Sequence, residues 1–527
     1  MSHKPVDLYY LKLANEVKSF FDTAYYLPIR DVMSVEEATG FCCFLTSYFE
    51  DIISGTNIWT TFMNKYGEMY QKQLPFFETS EYYENEINDA DVAFLSWYYL
   101  NMVNVDDFFP PHNPIYMAFA GRVMAIFDKE YEYALENEQL KACYKIDEGE
   151  TEYYVYRNLI NTVLTKTYLF YPDTALDFIY GENEIIKEEE DVEFKFTMLQ
   201  ETWETFLSES CTRLLSLKGK EWAAEILGKE HPGYFDLLNM SQRISGLFLY
   251  KGQDGKNVFL EHIASGKRFD LSKKSYEHSD NLKEIDTMVF MGIVRWMDEW
   301  WFSGLSNQME YDDALFLKEK KSIYSKKQVG FLDYETKAVK DQIAAQYRAF
   351  LEFNDGAQIA FIPSDQVDGF IKKYTDYFNS NLDYTQEEID RADEQAKKSG
   401  FFGDRSDEDA QPDFADDPGP YLIFFNPKSG IELAYGIISA FPLKNNPYYK
   451  VEESDEDVKS LLDSHDFSKE LVQFCFDNCK DDLPFFKEEE NNKLMEDIDF
   501  LLRFWKGRDY HTVPEITLTG EAVNSEQ

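Results

Sequence analysis

The stretch GLFLYKGQDGKNVFLEHI, residues 246–263, decides how the chain is read. Leu247 to Tyr250 and Val258 to Ile263 are apolar and β-prone, and Asp254-Gly255 between them is a tight-turn signal, so the stretch is a β-hairpin. Ser265-Gly266 then leads into a third strand, Arg268 to Leu271. Two further β-rich runs, Thr287 to Trp296 and Glu299 to Ser303, flank Met297-Asp298, a second tight connection. Five short strands in so short a span predict a small barrel of the SH3-like or OB-like kind.

Upstream, to about Ser241, apolar residues recur every three to four positions, which predicts about eight helices. Ser34 with Glu37 forms a capping box ahead of Phe41 to Phe49, and Asn113-Pro114 supplies a cap and first-turn proline. Thr56 and Asn88 read as further caps, and Asp191 to Leu217 as one long amphipathic helix with Phe194, Phe196, Leu199, Trp203 and Phe206 near one face. Downstream, Tyr334 to Phe353 is a helix, Gln358 to Ile362 a strand, and Ser364 caps another helix. Residues 383–417 carry thirteen Asp and Glu against four Lys and Arg with no apolar periodicity, the signature of a mobile linker. Tyr421 to Phe425 and Ile431 to Ile437 make a second hairpin around Asn426-Pro427-Lys428-Ser429-Gly430, and three more helices follow.

The fold class is therefore α+β, predominantly α-helical: a helical N-terminal domain, a small antiparallel β-barrel-like unit and a mixed α/β C-terminal part. The boundaries are 1–243 for the helical domain, 244–310 for the barrel-like unit and 311–382 for a helix-strand-helix segment. An acidic linker or loop spans 383–419, a β-hairpin plus helices 420–510, and a flexible tail 511–527.

With 98 acidic against 52 basic residues, the net charge of −46 repels polyanions and disfavours bulk nucleic-acid or anionic-membrane binding. No secretory leader and no spanning run of roughly 18 apolar residues is legible. The six cysteines form no disulfide framework and fit a reducing compartment, so the expected address is the cytoplasm.

Catalytic signatures are absent from the sequence. None of the seven histidines follows a carboxylate by three residues, and there is no His-Glu-x-x-His helix, glycine-rich phosphate loop or Gly-x-Ser-x-Gly elbow. Cys475 and Cys479 share a helical face but read as two small core side chains, so neither metal nor cofactor is assigned. One charge contrast stands out. Residues 251–327 hold thirteen basic and thirteen acidic residues and are neutral, with Lys267, Arg268, Lys273 and Lys274 clustered after the hairpin and Arg295, Trp296, Trp300 and Trp301 at the strand ends. Cations beside ring faces on a small barrel are the equipment for gripping a peptide or stacking bases, and these eight residues are the candidate binding surface. The competing reading is that the tryptophans fill the core and the lysines form a solvated rim.

Leu74-Pro75-Phe76-Phe77, Tyr82-Tyr83-Glu84-Asn85-Glu86-Ile87-Asn88, Phe94-Leu95-Ser96-Trp97-Tyr98 and the later Tyr421 to Pro427 and Asn445-Asn446-Pro447-Tyr448 resemble a bacterial family described as a domain of unknown function. The resemblance implies bacterial origin and a helical-then-mixed layout, and carries no activity. Three readings follow: a non-enzymatic interaction protein working through the barrel-like unit, a hydrolase-like enzyme with its site between the helical and mixed parts, and an acidic mimic of a nucleic-acid backbone. The expected partner is a protein or peptide, with nucleic acid admitted only through the neutral segment 251–327 and no membrane.

Overall fold

The computed structural model describes residues 5–23, 27–104, 108–330, 336–380 and 419–513. The expected acidic linker lies outside the described residues except for Gly419, and the expected tail except for residues 511–513. Within them the chain is an α+β protein in which helices dominate, with two sheets.

Twelve α-helical segments precede the first strand among the described residues, several of them a single turn or two, which the periodicity alone did not separate. The Ser34–Glu37 capping box forms with both of its hydrogen bonds and starts the helix Val35–Ser54. The helix Asp89–Val103 is buried on every side, as expected of a segment apolar all round, and forms the axis of the helical body. Two expected caps act differently. Asn57, in the left-handed region, starts the helix after Thr56, while the Thr56 hydroxyl donates to buried Asp51. The Asn88 side chain turns back into the preceding loop. The long helix expected to Leu217 ends at Glu209, because the chain then dives inward: Leu214 and Leu215 are buried, and Leu215 and Ser216 take positive φ. Phe194 and Phe196 are exposed, while Trp203 and Phe206 of the predicted stripe pack against Phe178.

The five predicted strands form, as β1 (Ile244–Gln253), β2 (Asn257–His262), β3 (Arg268–Ser272), β4 (Met288–Trp296) and β5 (Glu299–Met309). They close in the order β1-β2-β3-β5-β4. A ring of five strands cannot alternate direction all the way round, so one junction is parallel: β3 meets β5 at Leu271 and Trp300. Phe248, Leu260, Phe269, Val289 and Ile293 fill the interior. The opposite face of β1, Leu247 and Leu249, is covered by Leu315 and Phe316 of the helix Asp313–Lys321. Burial on both faces explains why β1 reads as a continuous apolar run.

A second, antiparallel sheet has the order β6-β7-β8, from Ile359–Pro363, Pro420–Asn426 and Gly430–Ala434. One apolar core joins the first helices, the outer face of the barrel, this sheet and the last helices. One of its joins is the helix Ile498–Trp505. Phe500 meets Tyr66, Phe76 and Phe94 at ring separations of 5.7, 5.6 and 6.0 Å, and Phe504 meets Trp97 at 5.2 Å. Asp497, just before it, accepts from the Tyr66 hydroxyl at 3.0 Å and pairs with Lys72 at 2.8 Å. No helix among the described residues is long and apolar enough to cross a membrane.

Candidate binding site

The eight barrel residues singled out by sequence fall into three settings. Side chains alternate along a strand, so Trp300 and Trp301 point opposite ways. Trp300 lies edge-on to Phe269 at 4.8 Å beside the barrel core. Trp301 points outward but is only 3% exposed, because Tyr153 and Tyr154 of the helix Tyr153–Lys166 cover it at 6.2 and 6.0 Å. Trp296 is 1% exposed on the same seam, 4.7 Å from the Tyr156 ring, with its indole N–H donating to Thr151 O at 2.9 Å. The cations form a rim. Lys267 and Arg268 stand where β3 begins and Lys273 and Lys274 just past its end, which separates the two pairs by roughly the length of a five-residue strand, about 16 Å. Arg268 pairs with Glu261 at 3.3 Å, Lys274 with Glu299 at 2.9 Å and Arg295 with Asp298 at 3.5 Å.

A concavity that the sequence did not single out lies on the helical body. It has a volume of about 680 Å³ and is walled by the loop around Thr79–Asp89 and by the end of the helix Ile115–Glu130 with the turn after it. Glu81, Glu86, Asp89, Asp128 and Glu132 line it against one cation, Lys129, and Tyr83, Tyr131 and Tyr133 stand among them. None of the five carboxylates is ion-paired among the described residues. The carbonyl end of the helix adds partial negative charge at Asp128.

Asn88 holds the loop in shape. Its side-chain amide donates to Tyr83 O and Glu86 O, both at 3.0 Å, and its carbonyl accepts from the Tyr83 N–H at 2.9 Å. Beneath it Asp91 is wholly buried and accepts from the Tyr48 hydroxyl at 2.6 Å. Burial pushes its carboxyl up to about 7, against the hydrogen bond from Tyr48. The folded chain therefore holds a proton there that the unfolded chain, with a carboxyl near about 4, releases. Asp91 thus makes the fold lose stability as pH rises from about 4 to about 7. Urea midpoints measured across that window should fall less steeply in Asp91→Asn than in the parent, and an unchanged slope would contradict the buried neutral carboxyl.

The loop and helix end were not legible as a site because acids are abundant everywhere in the chain; the interleaved tyrosines at 83, 131 and 133 were the available signal. Among the described residues no three His, Cys, Asp or Glu side chains are grouped to hold a metal ion. Cys475 and Cys479 are buried, the Cys475 thiol donating to Ala440 O at 3.2 Å, and burial pushes that thiol far above its ordinary range.

A protein-family model matches residues 1–277, which takes in the helical segments and the barrel through β3. No curated protein and no solved structure matches the chain.

Proposed function

Since the chain belongs to the family described as Protein of unknown function (DUF3843), a description that assigns no chemistry, we propose that it is a non-catalytic interaction protein that docks a basic peptide segment of a protein partner in the acidic cleft. The observation that carries this is the set of five carboxylates with no ion-pair partner among the described residues, lining the cleft with Lys129 and three tyrosines. Lys and Arg side chains suit both components: their charge meets the carboxylates and their heads lie over ring faces. The volume is that of a site for a few side chains, within the usual range for ligand pockets of about 300–1,000 Å³. Six free cysteines support a reducing compartment, and the proposal sets the interaction in the cytoplasm.

Fluorescence anisotropy with a labelled Lys/Arg-rich peptide tests it, an acidic peptide of equal length serving as comparison. Neutralising two walls together, Glu86→Gln with Asp128→Asn, should weaken binding roughly two- to thirtyfold, since each exposed pair is worth about 0.2–1 kcal/mol. Affinity should also fall as salt is raised. Equal binding by parent and double variant would remove the cleft as the docking surface.

A second reading keeps the barrel rim. Arg268, Lys274 and Arg295 are 77, 62 and 54% exposed, so an acidic segment could exchange for their present partners. Arg268→Ala combined with Lys274→Ala would then weaken capture of an acidic peptide and leave that of a basic one unchanged.

A further inference from the structure

The helices Leu176–Glu188 and Val192–Glu209 form a hairpin joined by residues 189–191, and its base and tip are built differently. At the base, Phe178 lies against Trp203 and Phe206 at ring separations of 5.2 and 4.2 Å. Glu201 takes two bonds of 2.7 Å from Arg243, and Glu204 accepts from Arg157 and from the Ser303 hydroxyl. These bonds fasten the base to the barrel and to the helix Tyr153–Lys166.

The tip has no such attachment. Outward of Phe178 the first helix exposes Ile179, Tyr180 and Ile186, and the second exposes Val192, Phe194 and Phe196, the last three at 79, 55 and 61%. None of the six belongs to an apolar core, and among the described residues no ring contact reaches Tyr180, Phe194 or Phe196. Single exposed apolar side chains are ordinary, but six large ones within eighteen residues mark an interaction surface. Val192 and Phe196 stand one turn apart and therefore on one face. The Lys195 ammonium reaches back to Ile186 O at 3.0 Å, which marks the side of the second helix turned to the first. At 100° per residue, Val192 and Phe196 fall on one flank of that side and Phe194 on the other. Two helices cannot enclose a core by themselves, and a third helix laid along their apolar flank closes one.

Charge selects the kind of helix. Residues 177–196 carry eight Asp and Glu against two Lys, an excess of negative charge more than three times as dense as the chain's mean. Lys187 is paired with Glu184 at 2.6 Å and Lys195 is held at Ile186 O, whereas Glu182, Glu188 and Glu190 have no ion-pair partner among the described residues. A second copy set against this surface about a two-fold axis would bring the acids onto their own counterparts. Residues 383–417, with thirteen Asp and Glu against four Lys and Arg, have the same sign, and so has an anionic lipid surface. A partner with Lys and Arg beside its apolar face meets both features of the tip.

We infer that the tip of this hairpin docks an amphipathic helix of a protein partner, the apolar face of that helix lying along Val192 and Phe196 and its Lys and Arg flanks meeting the surrounding acids. The surface uses none of the residues of the acidic cleft, and either can fail without the other.

Fluorescence anisotropy on the full chain tests it, with a labelled Leu/Lys amphipathic helical peptide of about five turns as the probe. A Lys/Ser peptide of equal length and charge and a Leu/Glu amphipathic peptide serve as comparisons. The Leu/Lys peptide should bind about tenfold or more tightly than either. Val192→Gln with Phe196→Gln should remove that advantage, since anchoring side chains carry most of an interface's affinity, while Phe194→Gln on the other flank should retain it. All three positions are exposed and glutamine favours helix, so the circular dichroism of the variants should match the parent. Glu86→Gln with Asp128→Asn, in the acidic cleft, should leave the difference between the Leu/Lys and Lys/Ser peptides unchanged. Equal binding of the Leu/Lys peptide and either comparison peptide, an advantage that survives in the Val192/Phe196 variant, or equal losses from the two flanks would each overturn the assignment. So would self-association or phosphatidylcholine-vesicle binding that the Val192/Phe196 variant abolishes, because a second copy or a lipid surface would then be the occupant.

Discussion

Trp296→Ala is expected to lower the unfolding free energy by about 3–5 kcal/mol, the range for removing a large aromatic from a packed interior. The residue is the plug between barrel and helical body: its ring lies 4.7 Å from that of Tyr156 and 6.3 Å from that of Tyr153, both tilted, and the indole N–H is satisfied by Thr151 O. Truncation loses the buried area, leaves a cavity on the seam and strands that carbonyl. A domain's total stability is about 5–15 kcal/mol, so the variant should show a strongly reduced urea midpoint. Its neighbour in sequence supplies the control. Arg295 points to solvent, and Arg295→Ala should stay within about 0.5 kcal/mol of the parent. Equal midpoints for the two variants would mean that the ring is not what joins barrel to helices. The same reasoning predicts that alanine at Trp301 perturbs folding, so loss of a partner in that variant would not by itself locate a binding surface.

Arg243→Met should be comparably damaging, about 3–5 kcal/mol, because it leaves a largely desolvated carboxylate without its counter-charge. Glu201 is buried enough that desolvation works against its ionised form, yet the bonds from Arg243 and Ser245 hold its carboxyl below the ordinary range. Removing the guanidinium reverses that balance and also frees Ser303 O. The double variant Arg243→Met with Glu201→Met is expected to be more stable than the sum of the two single losses, since it abandons both charges together. Additive losses in denaturant titrations would show that the two side chains act independently, against the bidentate geometry.

Much of the architecture was legible because its signals are local. The Asp254-Gly255 turn, with Asp254 Oδ1 accepting the N–H groups of Lys256 and Asn257 at 2.7 Å, is specified within a few residues, and so is the Ser34 cap. What the sequence withheld depends on distant partners. Trp301 looks like an exposed ring until the helix starting at Tyr153 is laid over it, and nothing near residue 301 announces that helix. Phe196 recurs at helical spacing with Leu199, Trp203 and Phe206, yet it is exposed, and the chain buries Leu214 and Leu215 beyond the helix instead. Candidate sites suffered most. The acidic cleft unites residues near 85 and near 130, so proximity there comes from topology rather than spacing. Acids so numerous also hide the few that matter, which become distinctive only once their ion-pair partners can be counted.

The helix Ile498–Trp505 also bears on how the chain is made. Tyr66 and its partner Asp497 are 431 residues apart, and translation at 5–20 residues per second separates their appearance by roughly 20–90 s. Throughout that interval the aromatic face of Asp89–Val103, including Phe94 and Trp97, has emerged from the ribosome without the ring that will cover it. The nascent helical body thus presents that face uncovered until residues 498–505 follow. A chain ending before residue 498 would leave the core that Phe500 and Phe504 complete open, and should be cleared by proteases faster than the parent.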